Sequence, residues 1–104
     1  MTPRAVQRPA ARRDFVTHYV YLAEHASPDV AKRFRDAVER TYADLARMPA
    51  MGVPHKLPKG RHAGIRLWRV ADFNNYWIAY YPRRDGVAIE RLFHAKQDYT
   101  RVMQ

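Results

Sequence analysis

A chain of 104 residues, 47% apolar and 12% aromatic, has material for one compact core and too much hydrophobicity for a disordered chain. It contains no cysteine, which excludes disulfides, zinc–thiolate sites and cysteine nucleophiles, and no apolar run near the roughly 18 residues that a bilayer requires. The formal charge is +9 and uneven: residues 1–48 carry nine Lys/Arg against six Asp/Glu, and residues 49–104 carry ten against four.

Such a balance suits a polyanion, an acidic protein partner, or simple solubility. Lys56, Lys59, Arg61, Arg66 and Arg69 follow one another without an acid among them, and His55 and His62 share that stretch. No apolar run follows Arg4, so a secretory leader is not expected and the cytoplasm is the expected compartment. Nothing divides the chain, and one domain over 1–104 is expected.

In chain order, Arg4 to Arg8 reads as a short edge strand ended by Pro9. From Ala10 the period turns helical, with Phe15, Tyr19, Leu22 and Ala26 on one stripe. Ser27-Pro28-Asp29 then supplies a cap, a proline for the first helical position and an acid near the positive end of the dipole. The second helix sets Val30, Phe34, Val38, Thr41, Leu45 and Met48 along one face, and Pro49 closes it. Gly52, Pro54, Pro58 and Gly60 mark a loop between Ala50 and Gly64.

Ile65 to Val70 mixes apolar and basic residues as a half-buried strand would, and Asp72, Asn74 and Asn75 supply turn chemistry. Tyr76 to Tyr81 is aromatic and β-branched, as a central strand is. After the Pro82–Gly86 turn, Val87 to His94 alternates: Val87, Ile89, Arg91 and Phe93 face one way, and Ala88, Glu90, Leu92 and His94 the other. Lys96 to Gln104 offers an optional short closing helix. The reading is α+β, in the order β-α-α-β-β-β, with a helical hairpin packed on an antiparallel sheet.

These elements carry a set of short motifs in a fixed order. They are Asp14-Phe15, Tyr19, Ser27-Pro28, Ala31-x-x-Phe34, Leu45-x-x-x-Pro49-x-x-Gly52 and Gly64-Ile65-Arg66. The aromatic strand follows, and then Arg91-Leu92-Phe93-His94-Ala95-Lys96-Gln97-Asp98. In order and spacing, from about Ala10 to Asp98, the chain resembles the RelE/ParE superfamily of bacterial toxins, and its ParE-like branch most.

The resemblance implies the toxin component of a type II toxin–antitoxin system, neutralised by a cognate ParD-like antitoxin and needing no cofactor. It leaves two activities in play. ParE-like members inhibit DNA gyrase and trap it on DNA without chemistry of their own. RelE-like members are metal-independent endoribonucleases that cut mRNA on the ribosome. Cleavage would need an acid–base pair and cations at the phosphorane, for which this chain offers Arg61, Arg66, His94 and Tyr99.

Against cleavage, Trp77 stands where nuclease members commonly place an Arg within the aromatic strand. Gln97 stands where an Arg is frequent in both branches, which also leaves the ParE match imperfect. The resemblance therefore favours gyrase inhibition. A third reading is a non-toxic basic module that binds nucleic acid, supported by charge alone. Arg61, Arg66, Arg69, Arg91, Lys96 and Arg101 are the expected antitoxin- or target-binding residues. The five histidines show no ligand spacing, and no metal is expected.

Overall fold

A computed structural model describes residues 2–55 and 62–104. The elements are β1 (Arg4–Gln7), α1 (Pro9–His25), α2 (Pro28–Arg47), β2 (Val53–Pro54), β3 (Arg66–Val70), β4 (Phe73–Arg83), β5 (Gly86–His94) and α3 (Tyr99–Val102). The α+β class and the expected element order hold, with a short closing helix.

The Ser27 side chain accepts the Val30 N–H at 3.0 Å, Pro28 opens α2, and Asp29 sits in its first turn. Ala31, Phe34, Ala37, Val38, Thr41, Leu45 and Ala46 form the buried stripe of α2. Met48 does not continue it. It caps the helix with non-helical backbone, so its side chain leaves the stripe and is 57% exposed. Thr41 donates to the Ala37 carbonyl at 2.7 Å and accepts the Ala71 N–H at 3.0 Å, tying α2 to the β3–β4 turn.

The strands form one sheet in the order β1-β5-β4-β3-β2. Neighbours are antiparallel except β1, which pairs parallel with β5 from Arg4↔Gly86 to Gln7↔Ile89. The sheet is therefore mixed. A parallel pair needs a long crossover, and α1 and α2 lie within the connection between these two strands.

The turn after β3 is tighter than Asp72, Asn74 and Asn75 suggest. It occupies Ala71 and Asp72, with Asp72 at φ 67°, a conformation that Asp tolerates. Asn74 and Asn75 instead lie in β4.

The expected alternation in the last strand is overturned halfway. Ala79 pairs with Arg91 and Tyr80 with Ile89, so Glu90 is an extra, bulged residue. Val87 and Ile89 point at the helices before the bulge and Leu92 after it, while Phe93 joins the opposite face. A period of two cannot survive an inserted residue.

The main core lies between the hairpin and the sheet, around Phe34, Leu45, Ile78, Tyr80 and Leu92. A smaller cluster on the other face gathers Ile65, Ala79, Phe93, Val102 and Met103 under α3. Asp98 caps α3 by accepting the Thr100 N–H at 3.1 Å.

Candidate functional site

β1 stops at Gln7, so the outer edge of β5 beyond Ile89 would leave backbone groups unpaired. Side chains one turn apart on α1 cover it. Asp14 accepts the Leu92 N–H at 2.9 Å, and His18 Nε2 donates to the Leu92 carbonyl at 3.0 Å. Asp14 also accepts from Arg91 Nε at 2.7 Å and from its Nη2 at 2.9 Å, a bidentate pair. The same guanidinium donates to the Val102 carbonyl in α3.

Arg91 thus straps α1 to α3 across the sheet edge, with its side chain 26% exposed. Its pKa is raised, first by the hydrogen bond to Asp14. His18 is held below the ordinary imidazole value, first by burial, which disfavours its charged form.

Arg66 is also turned inward. It donates to the Gly52 carbonyl at 2.6 Å and the Ala50 carbonyl at 3.3 Å. In the same loop Tyr80 accepts the Gly52 N–H and donates to the Pro49 carbonyl, each at 2.8 Å. A Cβ at residue 52 would lie 2.4 Å from the Tyr80 hydroxyl. The Leu45-x-x-x-Pro49-x-x-Gly52 ending therefore has a steric reason.

The residues proposed for cleavage do not converge. His94 lies on the helix side, its ring 4.8 Å from that of Tyr76, with Nδ1 accepting the Lys96 N–H at 3.0 Å. Tyr99 packs beneath the opposite face, 5.2 Å from Phe93 and 4.8 Å from His55. Arg66 is bound to loop carbonyls, and Arg61 lies outside the described residues. Of the remaining cations, Arg69 lies over Trp77 at 5.7 Å, and Lys96 and Arg101 are exposed. The docking set is thus scattered over both faces and one edge. The basic run loses Lys56 and Lys59 to the undescribed segment as well.

One surface was not legible from the helical period. α1 fully buries only Ala11 and leaves Val16 (53%), Val20 (46%) and Tyr21 (55%) open to solvent. Beside it is a cleft of about 270 Å³ lined by Thr17, His18, Tyr21, Tyr76, His94, Lys96 and Gln97. Among the described residues, no group of three or more acids or histidines could hold a metal ion. No described helix is long and apolar enough to cross a membrane.

A helical hairpin over a mixed sheet, a basic surface and an uncovered apolar helix face define a small basic α+β protein with a surface open to a partner. Residues 6–99 match the family model of the ParE toxin of the parDE type II toxin–antitoxin system, and the chain belongs to that family. It is therefore the toxin of a two-protein system, and its partner is a cognate antitoxin. No curated protein matches the sequence. A solved structure from the chromosomal ParDE toxin–antitoxin system of P. aeruginosa superposes with a TM-score of 0.71, over 89% of this chain and 96% of that one. At 13% identity that likeness speaks for the fold.

Proposed function

We propose that this toxin acts in the cytoplasm by binding DNA gyrase and holding it on cleaved DNA, with no chemistry of its own. The observation that carries the reading is the separation of His94 and Tyr99 to opposite faces of the sheet. General acid–base cleavage needs its groups within hydrogen-bond reach of one phosphate, and that pair cannot share one. Family membership points the same way.

The antitoxin neutralises the toxin by covering the outer face of α1 at Val16, Val20 and Tyr21, with Lys96 at the rim of the adjoining cleft. Arg69 and Arg101 remain available to the target. Arg66 and Arg91 support this indirectly, by fixing the loop after α2 and the α1–α3 strap.

A supercoiling assay with purified gyrase and a cleaved-DNA readout tests the proposal. Loss of supercoiling with accumulation of cleaved DNA is the expected result. Untouched gyrase activity at micromolar toxin, together with mRNA cut on the ribosome, would replace it with the endoribonuclease reading.

A further inference from the structure

β1 is the outermost strand of the sheet, and only one of its two edges is used. The Arg4 N–H donates to the Asp85 carbonyl at 2.8 Å, and the Arg8 N–H to the Ile89 carbonyl at 2.9 Å. Backbone groups alternate in direction along a strand, so Val6 also faces β5, while the N–H and C=O of Ala5 and Gln7 point outward. Among the described residues nothing pairs with them. Pro3 and Pro9 lack N–H groups and bracket this edge, so Ala5 and Gln7 are its two free donors.

The side chains sort by the same alternation. Ala5 packs on the main core and Gln7 shares its side, so Arg4, Val6 and Arg8 face away from the hairpin. Val6 is 54% exposed there, beside a cleft of about 340 Å³ whose lining includes Pro9 and Ala88. Arg83 and Asp85, of opposite charge, line the rest of it. Arg4 is exposed and has no ion pair among the described residues. Arg8 meets Glu90 at 3.3 Å and keeps 47% of its side chain open. Cation, apolar residue and cation thus follow one another along a free backbone ladder.

We infer that the antitoxin adds an extended segment to this edge of the five-stranded sheet, with an acid-x-apolar-x-acid sequence facing Arg4, Val6 and Arg8. The pattern is the same in both directions, so it fits a parallel or an antiparallel strand. Two outward donors and their carbonyls fix the added backbone, Val6 and the cleft take the apolar side chain, and the arginines take the acids.

A second copy of this chain does not fit the same edge. The antiparallel register that uses both free donors sets Arg4 of each copy opposite Arg8 of the other, and like charges directly opposite repel. Arginines on an edge guard it against such pairing, and the same guard selects an acidic strand. The inference rests on neutralisation by an antitoxin, the partner that this family supplies, and holds whether or not gyrase is the target.

NMR amide exchange of the full toxin, alone and with its cognate antitoxin, tests the ladder. Protection should rise about tenfold or more at Ala5 and Gln7, and less at Val6, whose N–H is already bonded to β5. A synthetic peptide of about nine residues centred on Glu-x-Val-x-Glu tests the chemistry by itself. Methylating its backbone amides one at a time should weaken binding about tenfold at alternate residues only. Arg4→Glu should weaken the peptide about fivefold, and the exposed control Arg33→Glu on α2 should leave it unchanged.

Circular dichroism confirms that each variant is folded. Equal losses for Arg4→Glu and Arg33→Glu would overturn the inference, because binding would then be diffuse attraction to a chain of charge +9. Methylation that acts without alternation would overturn it as well. An antitoxin complex that Val20→Glu weakens, but that leaves exchange at Ala5 and Gln7 unchanged, would also overturn it while keeping the reading of α1.

Discussion

Asp14 performs two tasks with one carboxylate: it pairs with Arg91 bidentately and accepts the Leu92 N–H. Asp14→Ala would strand a half-buried guanidinium and an edge N–H, at a cost of about 2–4 kcal/mol. Asp14→Asn keeps an acceptor for Leu92 and should lose less. Urea unfolding of both variants checks the order.

His18 serves the same residue from the other side, and burial lowers its pKa. Asp14 nearby raises it and His94 lowers it, both more weakly than burial. The folded protein therefore resists a proton that the unfolded chain accepts below about pH 6.5. Stability should be fully present above that value and fall as pH drops below it. His18→Gln keeps a donor for Leu92 and removes the titration. The urea midpoint of this variant should change less between pH 7.5 and 5.5 than that of wild type.

At the scale of elements, the helical hairpin was legible because its signals are local. The Ser27-Pro28-Asp29 start and the stripe from Phe34 to Leu45 need only a helix of period 3.6. β1 and β5 were legible as strands but not as partners, since Arg4 and Gly86 meet in parallel across most of the chain. The bulge at Glu90 was invisible for a related reason. The residues around it alternate plausibly, and only the pairing with Ala79 and Tyr80 shows where one residue is left over.

Gly86 marks the junction of these elements. It lies at φ 144°, and a Cβ there would fall 1.8 Å from the Arg4 carbonyl oxygen. Gly86→Ala must push β1 away from β5 and open the parallel pair. The expected cost is about 2–3 kcal/mol, with amide exchange rising first in residues 4–7 and 86–89.

Across the whole molecule, the +9 charge was the loudest sequence signal and the least informative about position. Counting cations cannot show that Arg91 finds Asp14 77 residues away, or that Arg66 closes on the loop after α2. It also passed over Arg4 and Arg8, whose setting depends on the pairing of β1 with β5. What the sheet does is keep two surfaces apart. The apolar face of α1 lies on one side of it, and the row of Arg4, Val6 and Arg8 lies on the other.

If the antitoxin covers α1, one charge placed there should block docking while the fold is kept. Val20→Glu places a charge in the centre of the apolar patch at an exposed position, so the fold tolerates it while antitoxin binding drops by about 2 kcal/mol or more. Apolar docking is also little screened, so the wild-type antitoxin complex should change modestly between about 0.1 and 0.5 M salt. Calorimetry of both proteins with the antitoxin reads both effects. A complex that tolerates Val20→Glu and weakens steeply with salt would mean that the antitoxin docks on the basic surface instead.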